Sequence, residues 1–136
     1  MIFNVFTDGG SRGNPGISGC GVVITDNKGN IQYQSSQFLG VKTNNQAEYG
    51  GLILALKWLV NHQSGLNAIN FFADSQLLVH QINGQYKVKS PHIKPLYSEV
   101  LRLLSKLSVP TKFTHIRRSF NDLADQLANQ AMNRRQ

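Results

Sequence analysis

The sequence predicts an α/β domain, a mixed five-stranded sheet with helices on its faces. Three observations carry this. Residues 2–39 hold three runs rich in β-branched and aromatic residues, separated only by turn chemistry, so they form an antiparallel meander with no room for crossovers. From residue 43 the hydrophobic period becomes helical, and helix and strand patterns then alternate to the C-terminus. The chain has 136 residues, 40% hydrophobic and 15% charged, which suits one domain over 1–136 with its own core and excludes a disordered chain.

Ile2 to Thr7 reads as a strand ending at Asp8, followed by the Gly-rich turn GGSRGNPGISG. Gly19 to Thr25 is a second strand, DNKGN a hairpin turn, and Ile31 to Leu39 a third strand whose polar alternation suits an edge. A helix runs from Thr43 or Asn44, either of which can cap it, to about Asn61. Its core face is Ala47, Gly51, Leu54, Ala55, Trp58 and Leu59. Ala68 to Ala73 is a short buried strand ending at Asp74, and Ser75 to Ile82 a helix stopped by Asn83-Gly84. Tyr86 to Pro95 is a basic connection, Leu96 to Leu107 an amphipathic helix and Lys112 to Ile116 the last strand. Asn121 to Asn133 is the closing helix, with an apolar stripe of Phe120, Ala124, Leu127, Ala128 and Ala131, and 134–136 is expected to be a frayed tail. The strands starting at 2, 68 and 112 are linked through helices and should run parallel by right-handed crossovers.

Lys plus Arg is 14 against 7 for Asp plus Glu, a net charge of +7, which points to a polyanionic partner or simply to a basic soluble protein. The single cysteine, Cys20, excludes an internal disulfide and cannot build a zinc site; in an apolar strand it reads as a buried small hydrophobe. MIFNVFTDGG has no basic leader, and the apolar run Leu52 to Leu56 stops at Lys57, so neither a signal peptide nor a membrane span is expected. The expected setting is a reducing, cytoplasmic compartment. GGSRGNPG lacks the Lys-Ser/Thr ending of a P-loop, no His-Glu-x-x-His is present, and His62, His80, His92 and His115 are scattered as surface or framework residues.

The seven acids carry the chemistry. Asp8 and Asp74 each end a predicted parallel strand, where ligand sites of open α/β sheets form. On neighbouring strands their carboxylates would sit roughly 5 Å apart and repel unless a cation lay between them. Each also has an ordinary use as a turn or helix cap. Glu48 falls beside the apolar stripe of its helix, where a surface glutamate would not; the alternatives are a first-turn dipole contact or a capping-box partner. On the last helix Asp122 points away from the stripe to solvent, whereas Asp125 flanks it and can reach a site beside the sheet. Convergent carboxylates without a His or Cys cluster describe a site for hard cations, Mg²⁺ or Mn²⁺. Beside a basic surface, such ions suggest phosphoryl chemistry on nucleic acid.

TDGGSRGNPG, TNNQAEYGGLILAL, FFADSQLLV and FNDLADQLANQAM, in this order, resemble type 1 ribonuclease H over nearly the whole chain. The resemblance implies a ribonuclease H-like five-stranded mixed sheet of order 3-2-1-4-5 flanked by helices. It implies endonucleolytic hydrolysis of the RNA strand of an RNA/DNA hybrid, leaving 5′-phosphate and 3′-hydroxyl ends. The family's catalytic and metal-binding carboxylates fall on Asp8, Glu48, Asp74 and Asp125, holding two Mg²⁺ or Mn²⁺ ions, with Asp8 between both, Glu48 and Asp74 on one side and Asp125 on the other. Glu48 would also contact a 2′-hydroxyl. Substrate contacts are implied at Gly10, Ser11, Asn14, Asn44, Asn45, Gln46 and Gln76, and Thr43 matches a contact to a DNA-strand phosphate. The same polar residues also suit ordinary loops and caps.

Two departures set this chain apart. Asn83 to Pro95 is a short connection with Lys87, Lys89 and Lys94, where many bacterial members carry a basic helical protrusion. In the loop before the last catalytic Asp, many members have a histidine; here the segment is HIRRSFND, so Arg117 or Arg118 takes that place, and Arg118 is the candidate catalytic residue. The expectation is a compact, free-standing, monomeric enzyme acting on a hybrid, with no membrane or obligate protein partner. The rivals are a binding module of this fold without turnover, a domain of a larger polymerase, and a nuclease acting on DNA.

Overall fold

The computed structural model describes residues 1–135. Five strands form one sheet in the order β3-β2-β1-β4-β5. They are β1 (Ile2–Arg12), β2 (Gly16–Thr25), β3 (Ile31–Lys42), β4 (Ala68–Ala73) and β5 (Thr111–His115). The helices are α1 (Asn44–Val60), α2 (Gln76–Ile82), α3 (Lys94–Leu104) and α4 (Asp122–Arg134), with a 3₁₀ turn at Arg118–Phe120. β1, β2 and β3 pair antiparallel, whereas β4 runs parallel to β1 and β5 parallel to β4, as the alternation of elements requires.

The expected Gly-rich turn is mostly strand. β1 continues through Asp8 to Arg12 because Gly9, Gly10 and Ser11 pair with Cys20, Gly19 and Ser18 of β2. Only residues 13–15 turn. Asp8 therefore does not end its strand. What ends there is the pairing with β4, whose last partners are Thr7 and Ala73. Asp8 and Asp74 both lie one residue beyond that last pair, which leaves the open end of the sheet between them.

α1 covers one face, where Phe3, Val5, Ile69 and Phe71 of the sheet pack with Leu52, Leu56 and Leu59, and α3 packs against α1. Burying such side chains contributes about 1.5–3 kcal/mol each. α4 covers β1, β2 and β3 on the other face through Ala124, Ala128, Ala131 and Met132. Phe120, expected in the α4 stripe, is 70% exposed, because it belongs to the 3₁₀ turn and lies off the helix face. α4 runs through Arg134, whose guanidinium contacts Ser36 Oγ on β3, so the expected tail starts as helix. Gln136 lies outside the described residues.

Two glycines set how closely the helices approach. A Cβ at Gly9 would lie 2.1 Å from Ala47 O, and one at Gly21 would lie 2.4 Å from Ala124 O. Strand and helix backbones thus touch on both faces, drawing α1 and α4 onto β1 and β2 beside Asp8. The connection 83–93 between α2 and α3 holds no helix, so the protrusion is absent, as expected. No helix among the described residues is long and apolar enough to cross a membrane.

Candidate active site

Carboxylate oxygens of Asp8, Glu48 and Asp74 all lie within 4.8 Å of one another. Each arrives from a different element. Asp8 comes from β1 just past the β4 pairing. Glu48 comes from the first turns of α1, where Thr43 and Gln46 form the capping box. Gln46 thereby takes the capping part offered to Glu48, whose Oε1 accepts from the Gly9 N–H instead. Asp74 precedes α2, and Ser75, not Asp74, caps that helix through the Leu78 N–H.

These acids are buried, and the site has little to neutralise them. Asp8 and Glu48 are 3% and 7% exposed. Burial pushes Asp8 up to about 7, with the neighbouring Asp74 and Asp125 charges adding to the rise. Burial, then the Asp8 charge, raises Glu48 well above the usual carboxylate range. Asp74 Oδ2 is buried and accepts no hydrogen bond. The nearest cationic group is Arg118, whose Nε lies 3.7 Å from that oxygen on a side chain 80% exposed.

Those features fit a divalent cation. An unpaired buried carboxylate oxygen, two raised neighbours and an oxygen-only donor set are what a hard ion would relieve. A cleft of about 480 Å³ opens beside the cluster and is lined by all four predicted acids. Asp125 reaches it from α4, whereas Asp122 is exposed, as the helix wheel requires.

Gly10, Ser11, Asn44, Asn45 and Arg118 also line the cleft. Asn44 Oδ1 accepts from the Ser11 N–H at 2.9 Å, and Asn14 Oδ1 accepts from the Asn44 N–H at 3.0 Å. Asn14, Thr43, Gln46 and Gln76 are not part of the wall. The first three fix the joint between the β1–β2 turn and α1, and Gln76 is exposed at the start of α2. Sequence reasoning missed Arg12, Asn129 and Asn121. Arg12 lines the cleft and donates to Asn129 Oδ1 at 3.4 Å, and Asn129 in turn donates to Asp125 O at 3.0 Å. Nothing local in the sequence marks those two. Asn121, expected only as the first residue of the closing helix, precedes α4 and sends its side chain to Thr7 O. Cys20 is fully buried in β2, and burial pushes its thiol up to about 12, in keeping with an inert packing residue. His115 is the exposed last residue of β5.

The family described as "Reverse transcriptase-like" matches residues 6–131. The chain is 40% identical over 126 residues to the "Bifunctional protein Rv2228c" of Mycobacterium tuberculosis, covering 92% of this chain and 34% of that protein. It thus spans about a third of the length of the mycobacterial relatives it matches. It is 32% identical to the "Ribonuclease H" of Ruthia magnifica, covering 96% of this chain and 94% of that one. Among solved structures, LC11 ribonuclease H1 in complex with an RNA/DNA hybrid superposes with a TM-score of 0.92 at 41% identity, covering 97% of each chain.

Proposed function

The chain belongs to the type 1 ribonuclease H family, and on that premise we propose that it hydrolyses the RNA strand of RNA/DNA hybrids, using divalent cations held by Asp8, Glu48, Asp74 and Asp125. The observation that carries the proposal is the three-carboxylate cluster in the wall of a cleft, with Asp8 and Glu48 buried and an Asp74 oxygen that accepts no hydrogen bond. The relative that binds a hybrid supports the substrate.

Two ions, Mg²⁺ or Mn²⁺, fit the donor set; when bound they supply positive charge that activates a water and offsets charge on the phosphate and its leaving 3′ oxygen. The protein's part is to place and orient. Asp8 and Asp74 present oxygens from the end of the β1–β4 pairing, Glu48 from α1 and Asp125 from α4. The Gly9 N–H fixes the Glu48 carboxylate at the cleft wall, where it can meet a 2′-hydroxyl, the group that separates RNA from DNA. Asn44 and Asn45, with Gly10 and Ser11, offer amide and backbone groups to the minor groove of the hybrid. Arg118 offers a fork of hydrogen bonds to the scissile phosphate, but no proton, because arginine stays charged at any working pH. Asn14, Thr43, Gln46 and Gln76 act on the substrate by holding or flanking this surface. The domain works as a monomer in this reading, with the hybrid its one required partner.

The test is cleavage of an end-labelled RNA/DNA hybrid, with matched RNA/RNA and DNA/DNA duplexes, in Mg²⁺ and in Mn²⁺. RNA-strand cleavage confined to the hybrid, with 5′-phosphate and 3′-hydroxyl ends, is the expected result. Cleavage of DNA/DNA would assign the site to a different nuclease, and binding without cleavage would make the domain a binding module.

A further inference from the structure

We propose that Asn121 is a positioning residue that sets Asp125 against Asp8 by tying the start of α4 to β1. The inference rests on the cleft being the reaction site. Asn121 is 2% exposed. Its Nδ2 donates to Thr7 O at 2.9 Å, a bond between residues 114 apart in sequence. Its backbone N–H donates to Arg118 O at 2.9 Å, and its backbone carbonyl accepts from the Asp125 N–H at 3.1 Å. One residue therefore holds the strand bearing Asp8, the turn bearing Arg118 and the helical turn bearing Asp125.

The ordinary use of this residue type at this position is forgone. An asparagine ahead of a helix turns its side-chain oxygen to an N–H two or three residues on. Here φ is −122° and ψ is 28°, the cap bond is missing, and Oδ1 is buried without a partner. Leaving a buried amide oxygen unpaired is unfavourable, so a fold that needed only a helix start would turn this side chain the other way. What is kept is the bond to β1. Thr7 is the last β1 residue paired with β4; beyond it the strand is paired only with β2. Asn121 grips β1 where that second support ends, next to the residue that must meet Asp125.

The experiment compares Asn121→Asp and Asn121→Ala with Leu127→Ala, a packing change on α4 where the helix meets Gly21. Asn121→Asp keeps the shape and suits a helix cap, but as a carboxylate it cannot donate to Thr7 O. Hybrid-cleavage kinetics, melting temperature and substrate-free Mn²⁺ affinity by calorimetry are measured for each. The expected result is a kcat lower by at least about 30-fold in both Asn121 variants, KM within about 3-fold, and Mn²⁺ affinity at least about 5-fold weaker, roughly the effect expected when a group supporting metal ligands is lost. Leu127→Ala, at an equal or larger loss of melting temperature, keeps kcat within about 3-fold and Mn²⁺ affinity unchanged. Asn121 variants that lose no more kcat and Mn²⁺ affinity than Leu127→Ala would reduce Asn121 to a purely structural tie. A wild type inactive on hybrids would overturn the proposed function, and the Mn²⁺ affinities would then decide the role of Asn121 by themselves.

Discussion

Arg118 Nε stands 3.7 Å from Asp74 Oδ2, the buried oxygen that accepts no hydrogen bond. That distance is too long for a hydrogen bond, and the guanidinium is exposed, so the arginine is held loosely at the cleft and free to turn to a phosphate. Removing a group that stabilises charge in the transition state lowers kcat more than it raises KM. Arg118→Ala is therefore expected to lower kcat about 10- to 100-fold on this reasoning. Arg118→Lys should rescue little, because the fork is lost. Arg117, outside the cleft wall, should affect mainly KM. Steady-state kinetics of the three variants check this; an unchanged kcat in Arg118→Ala would leave it a phosphate clamp.

The four carboxylates should separate from the fifth. Asp8→Asn, Glu48→Gln, Asp74→Asn and Asp125→Asn should each lower kcat by about 10²-fold or more, the size of losing one electrostatic group at a reacting centre. Asp122→Asn should match wild type, since Asp122 is exposed off the cleft. Cleavage rates beside far-ultraviolet circular dichroism check both activity and fold. A silent Asp122→Asn beside an active Asp125→Asn would reverse the helix-face assignment.

The ion-free protein should weaken as pH rises. Asp8 is held up to about 7 and Glu48 is raised too, so the folded state keeps protons that the unfolded chain releases from about pH 4 upward. The Asp8 contribution then falls between about pH 4 and 7, and Glu48 adds to the decline in the same direction, the opposite of ordinary acid denaturation. In EDTA the wild type should lose on the order of 2–4 kcal/mol from pH 5 to 8 relative to Asp8→Asn. Adding Mn²⁺ should flatten the decline, because the ion binds the ionised cluster. Calorimetric melting of both proteins across this range checks it; parallel pH profiles would show that Asp8 does not hold a proton in the folded state.

Much of this site was legible before the structure. Thr43 and Asn44 marked the start of α1 as candidate caps, and the helical period then placed Glu48 beside the buried face, but the capping box itself falls to Thr43 and Gln46. The same period separated Asp125 from Asp122. The turn drawn at Gly9 and Gly10 was strand, because glycines that permit a turn also permit α1 to lie on the β1 backbone, and local composition does not distinguish the two. Phe120 fell off its stripe because a 3₁₀ turn breaks the period before α4 begins. Asn121, Arg12 and Asn129 act through partners more than a hundred residues away, which no local pattern records.

Binding of the hybrid should be weak and only mildly salt-dependent. Without a protrusion, Lys87 and Lys89 sit on an exposed connection and Lys94 is exposed at the start of α3, and Arg12 is the cleft's other cation beside Arg118. Log affinity against log salt falls by about 0.9 per phosphate neutralised. Arg12→Ala should reduce the slope by about that amount and Lys87→Ala should leave it unchanged. Fluorescence anisotropy of catalytically silenced Asp8→Asn across salt concentrations checks this. A steep slope that flattens in Lys87→Ala would reveal a grip on the connection.

The account turns on buried carboxylates that work only with divalent cations. The measurement that reaches it most directly is cleavage of a labelled hybrid by purified protein in excess EDTA, then after adding back Mg²⁺ or Mn²⁺. The predicted result is no cleavage in EDTA and RNA-strand cleavage restored by either ion or both. Undiminished cleavage in EDTA would contradict the account.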